Sequence, residues 1–330
     1  MIIPTLTALV EPETAGDPMS DQKWVRSSLR QLSTRLGDAG HPVSPPTVGR
    51  LLLDLDYALH VNAKKVEARS DHADRDAQFN YIAAQRQAFA DAHLPIISVD
   101  TKKKELIGNF KNAGATWGQD AEAVNAHDFP HDADGRAVPY GIYDLTHNHG
   151  TVYVGASGDT AQFAVDVLAR WWTDRGCTVF PQADQLLILA DAGGSNGCRP
   201  RLWKQQVQEQ LSDQLRLAVT VCHYPTGCSK WNPIEHRLFS QISLNWAGKP
   251  LRTWEVLLGY ICGTTTTTGL AVDAFRQAGV YATGRTVSDV EMAALNLQRH
   301  EVCPSWNYTL RPRTGGAAPD ALSGKQEVVS

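Results

Sequence analysis

Apolar residues recur along this chain with two different periods. Over residues 23–36 they fall at Trp24, Val25, Leu29, Leu32 and Leu36, close to the spacing of one helix face. Gly40 and Pro42 break that run, and Ser44 ahead of Pro45 and Pro46 signals the start of a second helix through Leu51, Leu52 and Leu55. Two short helices about a tight turn, then an extended stretch at 57–61, predict a helix-turn-helix with a wing over residues 21–66. A small helical bundle is the plainer alternative. Residues 71–92 form a third helical pattern, with Phe79, Ile82 and Phe89 on one side and charges on the other.

Beyond residue 93 the period shortens. Residues 94–99 read as a buried strand ending at Asp100, 138–145 and 150–157 as two more strands about a polar turn, and 160–173 as an amphipathic helix. A fourth strand, 185–190, ends at Asp191. A helix at 201–214, a fifth strand at 215–223 and a helix opening at Pro233 follow. The first three strands suit an antiparallel meander and the last two suit helical crossovers. The order predicts an α/β fold of RNase H-like topology, a mixed five-stranded sheet with flanking helices, over residues 67–250. Residues 1–20 read as a linker or tail, 251–310 as a helical or mixed extension, and 311–330 as a disordered tail.

With 330 residues the chain is long enough for two or three domains, and 42% hydrophobic and 20% charged residues are ordinary for a globular protein. No apolar run spans a membrane and no convincing signal peptide opens the chain, so the expected location is the cytoplasm, with association to the nucleoid. Six dispersed cysteines without a Cys-x-x-Cys pair fit reduced thiols. Cys222, His223 and Cys228 are close enough in sequence for a metal site, but idle or buried thiols are the simpler reading. The net charge of −4 decides nothing about nucleic acid, because a global sum conceals local faces.

The predicted topology gives the chemistry. Asp100 and Asp191 end strands that lie side by side in such a sheet, and Glu235 falls in the first turn of the helix after the fifth strand. Each alone has a bland reading, as a turn, cap or helix-dipole residue. Together they occupy three points that one fold would bring to one place, and converging carboxylates suit hard divalent cations such as Mg²⁺ or Mn²⁺. Residues 192–197 (Ala-Gly-Gly-Ser-Asn-Gly) form a strand-to-helix loop in which Ser195 and Asn196 are candidates to meet a phosphate; a turn needing positive φ is equally good. The Gly-Lys-Ser/Thr ending of a nucleotide-binding loop is absent. Lys102, Lys103 and Lys104 could steer a DNA backbone or form a solvated edge, and Arg50, Lys64 and Lys65 could meet phosphates from the helical unit.

The stretch Ser229-Lys230-Trp231-Asn232-Pro233-Ile234-Glu235-His236 resembles the third-carboxylate motif of mariner-type and related insertion-sequence transposases. Taken with Ser98-Val99-Asp100-Thr101-Lys102-Lys103-Lys104-Glu105 and Ala190-Asp191-Ala192-Gly193-Gly194-Ser195-Asn196-Gly197, it is similar to the Rhodopirellula transposase family over roughly residues 8–310. Residues 124–130 (Val-Asn-Ala-His-Asp-Phe-Pro), Arg299-His300-Glu301 and Trp306-Asn307-Tyr308 carry the same likeness. Members of that family usually carry more helix-turn-helix sequence ahead of the point where Met1 falls.

The resemblance implies a DDE transposase of a bacterial insertion sequence, in which Asp100, Asp191 and Glu235 hold the metal, as two ions with Asp100 shared. The partners implied are transposon ends and target DNA, with a homo-oligomer assembled on DNA. Lys230, Asn232 and His236 become candidates for DNA contact, and His236 alternatively for orienting Glu235. An RNase H-like nuclease that cuts without joining, and an inactive DNA-binding regulator derived from a transposase, are the competing expectations.

Overall fold

A computed structural model describes residues 2–10, 14–16, 23–25, 27–57, 73–116 and 122–313. The chain divides into two compact units, residues 1–67 and 68–330.

In the first unit, α1 (Ile2–Val10) is followed by the antiparallel pair β1 (Thr14–Gly16) and β2 (Lys23–Val25), then by α2 (Leu29–Asp38) and α3 (Pro45–Leu53). Ser28 and Gln31 close a capping box at the start of α2: the Gln31 N–H donates to Ser28 Oγ and the Ser28 N–H to Gln31 Oε1. The first predicted helix therefore begins at Leu29, and residues 23–25 are strand. The α2–α3 turn is closed by the His41 N–H on the Leu36 carbonyl at 2.8 Å. Residues 2–10, expected as tail, are helical instead. Leu6 and Val10, four residues apart, are buried against Leu32, Leu36 and Val48, and this core stabilises a Pro- and Thr-containing segment that has little helix propensity of its own. Lys64, Lys65 and most of the expected wing lie outside the described residues, as do residues 314–330 of the expected tail.

The second unit begins with α4 (Arg75–Asp91), β3 (Ile96–Thr101), β4 (Glu105–Ile107), β5 (Gly135–Asp144) and β6 (His149–Gly155). Next come α5 (Ala161–Trp171), α6 (Cys177–Val179), β7 (Gln185–Asp191), α7 (Arg201–Gln206) and β8 (Ala218–Tyr224). The last elements are α8 (Ser240–Asn245), α9 (Trp254–Cys262), β9 (Ala271–Gln277), α10 (Asp289–Ala293), β10 (Leu297–Arg299) and β11 (Asn307–Leu310). Wider π-helical turns at Trp172–Gly176, Val207–Gln214 and Glu235–Phe239 interrupt or extend three of the helices.

Among the described residues of the second unit the strands form one sheet in the order β10-β11-β8-β7-β3-β5-β6-β9, with β4 beside β5. Its centre, β6-β5-β3-β7-β8, is antiparallel on the β5–β6 side and parallel from β3 to β7 to β8. That is the RNase H-like order expected from the sequence. The extension beyond residue 250 adds strands to both edges of this sheet: β9 pairs parallel with β6, and the β10–β11 hairpin pairs antiparallel with β8. Short strands of mixed polarity, such as Ala271–Gln277 with only Val272 buried, carry little periodic signal of their own.

Alternation along β3 separates two layers. Ile97 and Val99 join a core with Tyr140, Ile188, Val221, Phe163, Trp171 and Trp203 beneath α5 and α7. Ile96 on the other face packs with Leu187, Leu189, Ile82 and Phe89 of α4. By the same alternation, Ser98 and Asp100 share the face of Ile96, and Asp191 shares that of Leu187 and Leu189.

Candidate metal centre

Asp100 pairs across the sheet with Gly141, and Val99 and Ala190 are parallel partners, so Asp100 and Asp191 leave the sheet at adjoining strand ends. Both line a cavity of about 300 Å³ with Gly193, Gly194, Pro225, Thr226, Gly227 and Ser229. Glu235 opens the π-helical turn after β8 and interacts electrostatically with both aspartates, although it does not line this cavity. The three acids predicted from remote parts of the sequence are therefore brought together.

Burial, then the charges of Asp191 and Glu235, push the Asp100 carboxyl up to about 8, while the Thr101 N–H holds it down from 2.8 Å. Asp191 is pushed up to about 6 by burial and Glu235, against a hydrogen bond from Asn232. Carboxyls that resist ionising together call for a counter-cation, and their hard oxygens suit a divalent one. Among the described residues no three His, Cys, Asp or Glu side chains already form a ready cage. The residues fit the metal in donor type and in unrelieved repulsion.

Asn232 ties the centre together. It is fully buried, and its Nδ2 donates to Asp191 Oδ1 at 3.0 Å and to the Val99 carbonyl at 3.3 Å. Its Oδ1 accepts a short hydrogen bond from Ser98 Oγ, which in turn accepts the Ile234 N–H at 3.0 Å. The turn preceding Glu235 is thus pinned to β3 and to the second aspartate. Close approach of that turn also needs Gly141: a Cβ there would lie 2.5 Å from the Phe239 ring and 2.8 Å from Ile234. A third tie reaches Asp191 from behind. His223, buried and held neutral with its pKa lowered to about 4 chiefly by burial, bonds the Asp191 carbonyl through Nδ1 at 2.9 Å and Tyr308 Oη through Nε2 at 3.1 Å. Trp203 Nε1 donates to the same Tyr308 hydroxyl at 2.8 Å.

The candidate DNA contacts divide by exposure. Lys103, Lys230, His236 and Arg50 are exposed, and Lys104 is partly exposed with Asp159 at 3.9 Å. Lys102 departs from the expected basic run. It is 8% exposed, paired with Glu105 at 3.2 Å, and has its ammonium 4.5 Å from the centre of the Trp246 ring. Ser195 and Asn196 are buried; Asn196 Nδ2 donates to the Val99 carbonyl at 3.4 Å, while Ser195 Oγ and Asn196 Oδ1 have no partner. Gly194, at φ +79°, meets the positive-φ reading of that loop. Cys222 and Cys228 are buried, and His223 is engaged as described.

Comparison with known proteins decides the family. Residues 5–312 match the model of the Rhodopirellula transposase DDE domain. The chain belongs to that family. It is a DDE transposase, an enzyme that cleaves and joins DNA strands. Solved structures similar to this transposase include the Mos1 transposase paired-end complex with left transposon end, at 14% identity and a TM-score of 0.43, covering 78% of this chain and 69% of that one. A pre-cleavage Mos1 transpososome matches at 13% identity and a TM-score of 0.44, over 78% and 69%. No curated protein matches the transposase. Among its described residues no helix is long and apolar enough to cross a membrane.

Sequence reasoning missed Gly141, His223 and Trp203 as parts of this centre, and took Asn232 for a DNA contact. A glycine in mid-strand and a histidine at the end of an apolar strand were the available signals.

Proposed function

We propose that Asp100, Asp191 and Glu235 hold two divalent ions, Mg²⁺ or Mn²⁺, and that this centre cuts transposon ends and joins them to target DNA. The observation that carries the reading is the pair of half-buried aspartates on adjoining strand ends in one cavity, with raised carboxyl pKa values and Glu235 within electrostatic reach. When bound, such ions acidify a water for in-line attack on a phosphodiester and stabilise the departing 3′ oxygen.

The chain's own residues do the positioning. Asn232 holds one oxygen of Asp191 and leaves the other for a ligand; the Thr101 N–H does the same for Asp100. Ser98 fixes the turn from which Glu235 projects. Exposed Lys103, Lys104, Lys230, His236 and, in the helical unit, Arg50 meet DNA phosphates. Asn196 ties the loop after Asp191 to the Val99 carbonyl, as Lys102 ties the β3–β4 connection to Glu105 and Trp246. Paired ends call for a homo-oligomer on the DNA, acting in the cytoplasm at the nucleoid.

The test is direct. Asp100→Ala, Asp191→Ala and Glu235→Ala each abolish metal-dependent cleavage of DNA carrying the element's inverted end, with far-ultraviolet circular dichroism unchanged. Full cleavage by any one of the three refutes the trio. Joining of a pre-cut end by the unaltered chain separates a transposase from a nuclease that only cuts.

A further inference from the structure

The turn that pins Glu235 also displays a large apolar ring. Trp231 is 53% exposed, although tryptophan is ordinarily well covered in a folded protein. Its backbone is held by the Trp231 N–H on the Cys228 carbonyl at 2.9 Å, and the next residue is the fully buried Asn232. The ring is therefore carried on a rigid mount rather than on a loose loop. On one side it meets Phe79 of α4 edge-on, with centroids 6.0 Å apart, and Phe79 in turn lies 6.0 Å from Tyr224. Cations flank both ends of this row: the Arg75 guanidinium is 6.0 Å from the Phe79 ring centre, and Lys230 Nζ is 5.8 Å from that of Trp231.

The row Arg75–Phe79–Trp231–Lys230 thus sets two aromatic rings between two basic groups. Its last two members adjoin Ser229, which lines the carboxylate cavity together with Thr226 and Gly227 of the same connection. Unpaired nucleic acid is recognised by this combination, since each exposed base offers a face for stacking and each phosphate a charge. Duplex DNA keeps its bases stacked inside and would meet only the cations.

We propose that this row is a single-strand subsite: Trp231 stacks on an unpaired base of the DNA strand next to the phosphodiester held at the carboxylates, while Arg75 and Lys230 take the flanking phosphates. The inference rests on the transposase reading above for its ligand, and it adds that the DNA is locally unpaired beside the cutting site.

Binding is measured by fluorescence anisotropy of the full chain in EDTA, which prevents cleavage, with a labelled 12-nucleotide single strand and with the matching duplex. Trp231→Ala weakens single-strand binding about tenfold, Trp231→Phe stays within about threefold, and duplex binding changes less than about twofold. The salt dependence of Trp231→Ala matches that of the unaltered chain, because no phosphate contact is lost. A single-strand affinity within twofold of the unaltered chain, or an equal loss on strand and duplex, overturns the subsite. Should Trp231→Ala fail to fold, a 2-aminopurine placed in the strand is read with the unaltered chain: quenching on binding supports stacking, and none overturns it. Self-association that depends on Trp231, without strand binding, assigns the row to a second copy of the chain and also overturns the proposal. Metal-dependent cleavage is scored in parallel. Cleavage without a Trp231 effect refutes the subsite alone, whereas Trp231-dependent strand binding without cleavage refutes the catalytic reading alone.

Discussion

Replacing Asn232 by Leu tests whether the second aspartate is held by a hydrogen bond or merely by packing. Leucine has the same branched side-chain skeleton and is somewhat bulkier, so the change opens no cavity. It deletes the donor to Asp191 Oδ1 at 3.0 Å, the donor to the Val99 carbonyl at 3.3 Å and the acceptor for Ser98 Oγ. The Val99 carbonyl keeps Asn196 Nδ2 at 3.4 Å and loses little. A hydrogen bond to a carboxylate contributes about 1.5–3 kcal/mol and a stranded buried hydroxyl costs about 1–3 kcal/mol, so the expected loss is about 3–5 kcal/mol. Urea unfolding in EDTA reads this as a lower midpoint with an unchanged slope. The loss also depends on pH. Asn232 lowers the Asp191 pKa, so without it the folded state binds that proton more tightly, and the destabilisation is larger at pH 8, where Asp191 is ionised, than at pH 5. The Mg²⁺ concentration for half-maximal cleavage rises about 10–100-fold, the usual cost of losing a group that orients a metal ligand. A loss under about 1 kcal/mol, or one equal at pH 5 and pH 8, would show that the bond to Asp191 does not hold the site.

The metal-free chain loses stability as pH rises. Asp100 and Asp191 bind protons more tightly folded than unfolded, so their contribution is fully present below the ordinary carboxyl value of 3.8 and is lost through about 6 and about 8. Thermal melts in EDTA follow that fall, Asp100→Asn flattens its upper part, and added Mg²⁺ restores stability at pH 8; a flat profile for the unaltered chain contradicts the assignment. Gly141→Ala drives a methyl into Phe239 and Ile234, lowers stability by about 1–3 kcal/mol in urea titrations and reduces cleavage by moving Glu235; unchanged cleavage would mean that the turn tolerates displacement. Tyr308→Phe strands Trp203 Nε1 and His223 Nε2 and costs about 1–3 kcal/mol by the same measurement, and a neutral result removes this chain from the support of Asp191.

The central topology was legible because its strands are apolar runs closed by aspartates and separated by helical periods. Residues 185–191 read as a buried strand ending in an acid, and they form one. The edges were harder to read. Asn307–Leu310 is a strand of four residues whose two polar members are buried, and it becomes a strand by pairing with β8 rather than by any pattern of its own. Its polar groups are satisfied only in three dimensions: Asn307 exchanges hydrogen bonds with Gln78, 229 residues away, at 2.6 and 2.8 Å. Asn232 illustrates the same limit within the centre. A polar residue beside a catalytic acid reads as a ligand contact, and only its complete burial shows that it faces inward. Lys102 differs from Lys103 and Lys104 for a like reason, since alternation at the end of β3 turns one lysine of a basic run under Trp246.

The supports of the centre share a property that bears on how it works. Asn232 reaches Asp191 Oδ1 and the Val99 carbonyl, Asn196 reaches that same carbonyl, and His223 reaches the Asp191 carbonyl. All three are buried, and burial holds His223 neutral. Neutral groups fix the strand ends without supplying the positive charge that would relieve the aspartates. Of the buried lysines nearby, Lys204 is occupied with the Cys198 carbonyl and the Tyr308 ring, burial bringing its pKa down to about 8, and Lys102 is occupied with Glu105 and the Trp246 ring. An internal arginine or lysine paired with Asp100 would stabilise the apoprotein and compete with the metal for the same oxygens. The centre therefore holds its backbone rigid through neutral hydrogen bonds and leaves its carboxylates short of a cation. Repulsion that destabilises the metal-free fold is released when a divalent ion arrives, so metal affinity and apoprotein instability have one origin.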